Sequence, residues 1–387
     1  MADADAKTLV FSFDGTGNEP SDADEFQEDE SISNILKLHI LMGGGINEDE
    51  SDTRTPAGKQ QITFYFNGIG TREDGWQVPL LGRLFSFGQK LINQAVAPRF
   101  GDARRILNEA MKDFKAADYK SGDTLAIFGF SRGAALARKF ASMILEEHTQ
   151  CRVSFLGVFD TVAAMGGMHR KGERISSHVV FENGTLNERI DRAVHIVSLD
   201  ESRVSFEPTL INKDDQNPNR ILEVWFPGVH SDIGGGYWFD GLSDVALTFM
   251  VAECRKTLGD RISIEEGNYE AIHGLLESQK SELADLEVDD IAINPLVHGI
   301  LHANSGVTTI PGQEPRAVYV SDNDAPSRNA DDLPLVHYSV KERFHAVAGY
   351  RPAALRGRKF KLLLKDGRRS DPLHGINQLR GEVRLPS

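Results

Sequence analysis

The chain has 387 residues, of which 40% are hydrophobic and 26% charged, a composition typical of a globular protein with a large apolar core. Its 57 acidic residues outnumber its 43 basic residues, and the net charge of -14 argues against a nucleic-acid partner, because phosphate binding needs clustered Lys and Arg. The two cysteines indicate no disulfide framework, and no apolar run reaches the roughly 18 residues of a membrane span.

Short apolar runs alternate along the chain with longer amphipathic runs. Buried strands are predicted at Leu9 to Phe13, Ile62 to Phe66, Thr124 to Phe128, Val153 to Val158, Ala193 to Leu199, Leu222 to Phe226 and Phe360 to Leu364. Helical spacing predicts helices at Ala103 to Ala116, Gly133 to Glu147 and Leu242 to Lys256. This alternation predicts an α/β fold with a mainly parallel sheet and helices on both faces.

A predicted strand, the sequence GFSRG and a predicted helix follow one another around Ser131. This order is typical of a nucleophile elbow, in which a sharp turn holds the serine hydroxyl above the sheet edge. Larger side chains at Gly129 and Gly133 would collide in that turn. Because the helix N-terminus directs free N–H groups at the site, the N–H of Arg132 is expected to be one oxyanion donor.

A serine nucleophile needs a base, and the base needs an acid to orient it. His230 lies in a tight, glycine-rich loop at the carboxyl end of a predicted strand, where a mobile base is expected. Two predicted strands end in a candidate acid, Asp160 and Asp200. Strand order favours Asp200, but Glu201 and Arg203 follow it and suggest a structural ion pair, whereas a small-residue loop follows Asp160. We prefer Asp160 and keep Asp200 as the alternative acid.

The first predicted strand ends in a glycine-bearing loop, FDGTGN. An oxyanion hole needs a second N–H, usually from the loop after an early strand, so Gly15 or Thr16 is expected to supply it. Two other interpretations of this loop are excluded by the residues present. The phosphatase pattern DxDGT needs an Asp where Ser12 stands, and a P-loop needs a Lys after its final glycine.

Six motifs follow one another from Phe11 to Leu355. They are FDGTGN, GFSRGAA, GVFDTV, HIVSLDESRVSFEP, FPGVHSDIGGGY and VHYSVKERFHAVAGYRPAAL. In these motifs the chain resembles a family of α/β hydrolases of unassigned function that includes the first class of type VI secretion lipase effectors. The resemblance implies an α/β-hydrolase sheet and a triad of Ser131, Asp160 and His230.

The resemblance also implies an activity and partners. It implies a phospholipase A-type antibacterial effector that is delivered to the periplasm of a rival bacterium, with a lipid or phospholipid substrate and transient contact with a membrane surface. A partner in the secretion machinery and an immunity protein are implied with it. The N-terminus MADADAKTLV lacks the regions of a secretory signal, so we expect a chain that is cytoplasmic as synthesised. Acyl transfer by such a triad is expected to need no cofactor and no metal.

We expect residues 1–387 to form a single α/β-hydrolase-like domain with two less regular parts. The apolar segment from Trp76 to Ile92, within residues 72–100, predicts a lid or an acyl-chain groove, although an ordinary buried helix fits it equally well. Residues 260–335 carry weaker patterns and predict an insertion that includes a surface loop from Asp322 to Asp332.

Two alternative functions stay open at this point. One is a soluble esterase or peptidase of the same fold, and the other is a catalytically inactive interaction module. Comparing short-chain with long-chain esters separates the first from a lipase. Labelling of Ser131 by a fluorophosphonate separates the second from any serine hydrolase.

Overall fold

The structure, a computed structural model, describes residues 6–16, 31–45, 50–69, 100–163, 184–278, 286–302 and 313–381. Its strands are β1 (Thr8–Phe13), β2 (Glu50–Arg54), β3 (Gln60–Phe66), β4 (Thr124–Phe130), β5 (Phe155–Phe159), β6 (Ala193–Ser198), β7 (Ile221–Phe226), β8 (Ser321–Asp322), β9 (Ala325–Pro326), β10 (Leu335–His337), β11 (Lys359–Leu363) and β12 (Leu373–His374). Its helices are α1 (Asn34–Leu41), α2 (Phe100–Ala116), α3 (Ser131–Glu147), α4 (His230–Gly234), α5 (Gly241–Leu258), α6 (Tyr269–Ser278), α7 (Val288–Ile291) and α8 (Tyr338–Ala346).

A ten-stranded sheet joins most of these strands in the order β12-β11-β10-β7-β6-β5-β4-β1-β3-β2. From β3 across to β11 the neighbouring strands are parallel, while the two edge strands, β2 and β12, run antiparallel to their neighbours. The central strands carry almost continuous apolar sequence because both faces of a parallel sheet are buried. The predicted fold class is therefore confirmed.

Alternate residues of the central strands pack against helices on opposite faces of the sheet. Leu9, Phe11 and Phe13 of β1 share one core with apolar side chains of α2 and α3. Val10 of β1 and Phe128 of β4 share a second core with apolar side chains of α1 and α5. This period of two is the expected consequence of the strand pleat. It places helices on both faces of the sheet, as predicted.

The ends of the predicted strands and helices lie within three residues of the observed ones, and the observed elements that were not predicted include α1, β2 and β10. Within the predicted insertion at 260–335, the structure contains α6, α7 and the short β8–β9 hairpin, which occupies part of the predicted loop from Asp322 to Asp332. The predicted lid or acyl groove lies outside the described residues, apart from Phe100, where α2 begins. In the described part of the chain, no helix has both the length and the apolar character that crossing a bilayer requires.

Candidate active site

Three parallel strands of the sheet, β4, β5 and β7, lead into candidate catalytic residues at the same edge of the sheet. Ser131 follows β4, Asp160 follows β5, and His230 begins α4 shortly after β7. Since the carboxyl ends of parallel strands meet at one edge of a sheet, residues 29 and 70 positions apart in the chain come together there. All three are buried.

The backbone at Ser131 has the left-handed conformation of a sharp turn. Its φ of 57° is unfavourable for a side chain with a Cβ, and such strain persists only where the surroundings enforce it. A Cβ added at Gly129 would lie 2.6 Å from the carbonyl oxygen of Gly133. A Cβ added at Gly133 would lie 2.2 Å from the carbonyl oxygen of Asp14. Both glycines therefore permit the close approach of α3 to β4 and β1.

His230 lies between the serine and an aspartate. Its Nε2 is 2.8 Å from Ser131 Oγ, and its Nδ1 is 2.5 Å from Asp160 Oδ2. An ionised carboxylate can only accept a hydrogen bond, so Nδ1 carries the imidazole proton. Nε2 is then free to accept from the serine hydroxyl, which is the arrangement that a general base requires.

Aromatic rings and a backbone contact hold the His230 imidazole. The ring of Phe130 lies 4.7 Å from it, and the ring of Phe206 packs edge-on at 4.8 Å. The His230 backbone N–H donates to Glu201 at 3.3 Å. Burial among these groups lowers the pKa of His230 below its ordinary value, although hydrogen bonding to Asp160 acts in the opposite direction. The neutral form, which is the basic form, is thereby favoured.

Asp160 makes a contact that the sequence did not predict, a paired hydrogen bond from Arg316. The two guanidinium Nη atoms lie 2.6 and 2.9 Å from the two carboxylate oxygens, and the Ser198 N–H donates to Oδ1 at 2.9 Å. Burial alone would raise the pKa of the Asp160 carboxyl, but the charge of Arg316 and the contact with His230 outweigh it and hold that pKa well below its usual range.

The alternative acid, Asp200, lies in a different environment. It accepts hydrogen bonds from the N–H of Gly228 and the hydroxyl of Tyr350, both at 2.8 Å. Burial raises its pKa to about 6. The neighbouring Glu201 and Arg203 form the ion pair that the sequence suggested, with 2.7 Å between Nη2 and Oε2. Asp160 therefore contacts the imidazole, whereas Asp200 links the Gly228 loop to Tyr350 in the segment after α8.

The loop after β1 lies against the first turn of α3, next to the serine. The N–H of Gly15 donates to the carboxylate of Asp14 at 2.6 Å, and this carboxylate also accepts from Ser33 and Tyr65. Among the described residues, neither the N–H nor the hydroxyl of Thr16 has an acceptor. Of the two candidates for the second oxyanion donor, Thr16 therefore presents the unoccupied N–H.

A comparison with family models gives one match. The model described as "T6SS, Phospholipase effector Tle1-like, catalytic domain" matches residues 7–147 and 145–253, which together span more than half of the chain. The match includes all three residues that meet at the sheet edge. A comparison with curated proteins gives no match.

Solved structures with a similar fold include an uncharacterized protein from Pseudomonas aeruginosa, with 22% identity, a TM-score of 0.40, and coverage of 67% of this chain and 46% of that one. The Tle1 effector bound to the VgrG spike of the type 6 secretion system shows 23% identity, a TM-score of 0.33, and coverage of 61% and 52%. XC6422 from Xanthomonas campestris, described as an a/b serine hydrolase without lid, shows 14% identity, a TM-score of 0.31, and coverage of 66% and 86%. The chain spans about half the length of the first two structures.

Proposed function

The chain belongs to the family of Tle1-like type VI secretion phospholipase effectors, whose catalytic domain it matches, and we propose that it is a serine hydrolase that cleaves carboxylic esters of phospholipids. The observation that carries this proposal is the contact of Ser131 Oγ with a buried imidazole, whose other nitrogen contacts a buried carboxylate. Such a constellation serves to turn a hydroxyl into a nucleophile.

The proposed reaction is acyl transfer in two steps. His230 accepts the proton of Ser131 as the serine oxygen attacks the ester carbonyl, and Asp160 stabilises the imidazolium that forms. The N–H groups of Arg132 and Thr16 hold the oxyanion. The imidazolium then gives its proton to the departing alcohol, and a water molecule, activated in turn by His230, releases the fatty acid and restores the serine.

The side chain of Arg132 favours an anionic substrate. Arg132 is only 6% exposed, and no described residue makes a hydrogen bond or an ion pair with its guanidinium. Burial lowers its pKa to about 10, so the group is still charged at neutral pH. A buried cation that meets no anion among the described residues is destabilising, and an entering phosphate would relieve that cost. Because this arginine directly follows the nucleophile, a phosphodiester beside the scissile ester is the group we propose it binds.

The proposal extends to delivery and to the finer activity. The Tle1 effector in the solved complex is bound to a secretion spike protein. We propose a corresponding secretion partner for this chain, with delivery to the periplasm of a target cell and an immunity protein in the producing cell.

We further propose phospholipase A-type cleavage, with the apolar segment from Trp76 to Ile92 as the lid or acyl groove. Charges introduced by Leu84→Glu and Phe87→Glu should then impair hydrolysis of long-chain lipid more than that of a short soluble ester.

A panel of lipids with product mass spectrometry tests the proposed function. We expect wild-type protein to release a fatty acid and a lysophospholipid from diacyl phospholipids, and Ser131→Ala to release neither. Hydrolysis of short soluble esters alone would replace the phospholipase proposal with a soluble esterase. Equal activity of wild type and Ser131→Ala on every lipid would contradict a serine hydrolase of any kind.

A further inference from the structure

Arg316 is a buried arginine, 4% exposed, that contacts the acid of the candidate triad with both ends of its guanidinium. Nη1 donates to Asp160 Oδ1 at 2.6 Å, and Nη2 donates to Oδ2 at 2.9 Å. Oδ2 is also the oxygen that faces His230. A planar fork that binds a carboxylate in this way fixes its orientation as well as its charge.

The same guanidinium joins two other segments of the site. Nη1 also donates to the carbonyl oxygen of Ser198, the last residue of β6, at 2.9 Å, and Nη2 donates to the carbonyl oxygen of Phe206. The Phe206 ring forms one wall of the pocket around the imidazole. One side chain thus holds the acid and supports a residue that packs on the base.

The charge of Arg316 changes what Asp160 can do for His230. A triad carboxylate normally stabilises the protonated imidazole, but here it shares its negative charge with a guanidinium in direct contact. In the described part of the chain, Glu201 accepts from the His230 backbone N–H and is paired with Arg203. Asp232, on the same short helix as His230, lies 2.5 Å from His302 through Oδ1 and Nδ1. Among the described residues, Arg316 is the cation in direct contact with the triad acid.

On the premise of the proposed hydrolase function, we propose that Arg316 is a positioning residue for acyl transfer. It fixes the Asp160 carboxylate against His230 and offsets its negative charge, so that the imidazole stays neutral and able to accept the Ser131 proton in mildly acidic solution. The covalent chemistry stays with the triad, and Arg316 acts on it through Asp160.

The test compares the pH dependence of kcat/KM on a soluble short-chain ester for wild type, Arg316→Met and Arg316→Lys. In Arg316→Met, the uncompensated carboxylate stabilises the protonated imidazole, so we expect the acidic limb to move up by about one pH unit. Loss of orientation should also lower the plateau by about 100-fold. Arg316→Lys keeps the positive charge without the fork, so its limb should stay near that of wild type while its plateau is intermediate.

Arg138→Met is the matched control for loss of a buried arginine. Arg138 is 3% exposed and donates to the carbonyl oxygens of Thr209 and Leu210. In Arg138→Met, the acidic limb of the kcat/KM profile should stay at the pH that wild type shows, even if the plateau value of kcat/KM falls. If Arg316→Met loses activity while the acidic limb of its kcat/KM profile stays at the wild-type pH, the role of Arg316 is merely structural and the inference is overturned. Where Arg316→Met does not fold, Arg316→Gln, which also lacks the charge, carries the same test.

A readout without catalysis separates this inference from the proposed function. His230 Nδ1 lies 2.5 Å from Asp160 Oδ2. The low-field NMR signal of the proton that Nδ1 carries reports the charge of the imidazole as the pH changes. We expect the midpoint of its titration to rise in Arg316→Met by as much as the kinetic limb. If wild type hydrolyses no ester, the proposed function fails, and this titration still decides the role of Arg316. An unchanged midpoint would overturn that role.

Discussion

At the scale of single residues, Asp160 contacts the imidazole, whereas Asp200 accepts from Gly228 and Tyr350. We expect Asp160→Asn to lower kcat by roughly 1,000- to 10,000-fold, because an amide does not hold the proton on Nδ1 or stabilise the imidazolium. Asp200→Asn keeps an acceptor for both of its partners and should lower kcat by less than about 10-fold. Steady-state kinetics on a soluble ester, with thermal unfolding to verify the fold, checks both. Loss of turnover in Asp200→Asn alone would contradict this assignment.

Arg132 is a second residue whose side chain has a testable role. The measurement compares kcat/KM for a diacyl phospholipid with kcat/KM for the diacylglycerol that has the same acyl chains. We expect Arg132→Gln to lower the ratio of the first value to the second by at least about 10-fold, because a charge-assisted contact with the phosphate is lost. Arg132→Lys should restore part of the ratio. The ratio cancels any effect of the substitution on the catalytic step that both lipids share. An unchanged ratio in Arg132→Gln would show that the guanidinium does not bind the phosphate.

The sequence predicts some of these residues better than others. Ser131 and His230 are visible because each stands in a short local motif after a strand. Arg316 is not visible, because it lies 156 positions from Asp160 in a stretch without regular pattern, and a contact over that distance depends on the tertiary fold. The choice between Asp160 and Asp200 also needs coordinates, since both follow a strand at the same edge of the sheet.

At the scale of elements, the turn between β4 and α3 depends on glycine. In Gly133→Ala the new Cβ would lie 2.2 Å from the backbone oxygen of Asp14, and backbone cannot move aside cheaply. We expect a loss of about 3 kcal/mol in the free energy of unfolding, at the upper end of overpacking effects, together with reduced activity. Denaturant titration measures it.

Gly274→Ala in α6 provides the control for Gly133→Ala. A Cβ at Gly274 would meet no atom within 4 Å, so the substitution should stabilise the protein by about 0.5 to 1 kcal/mol through the higher helix propensity of alanine. Equal effects of the two substitutions would show that the close approach of α3 to β1 is not what Gly133 serves.

The sequence predicted the central elements because their patterns are long and strong. The strands β1, β4 and β5 are five to seven residues of largely apolar sequence, and α2 and α3 span 17 residues each. β10 has three residues, too few for a period to be recognised. α1 is buried at every position, so it lacks the polar face that marks a surface helix.

At the scale of the whole molecule, the sheet extends beyond the part that matches the family model. The match ends at residue 253, yet β10 and β11 add to the sheet beside β7, and Arg316 comes from the same later part of the chain. Strand order of this kind rests on pairings between distant segments, such as β10 with β7, and no local pattern encodes them. The candidate catalytic unit therefore includes residues from both ends of the described chain.

Labelling with a fluorophosphonate, followed by peptide mass spectrometry, tests most directly whether this sheet edge activates a serine. We expect wild type to carry the phosphonate on Ser131, Ser131→Ala to remain unlabelled, and His230→Ala to react at least about 100-fold more slowly, because the hydroxyl loses its base. An unlabelled wild type, or equal labelling rates in wild type and His230→Ala, would contradict activation of Ser131 by His230.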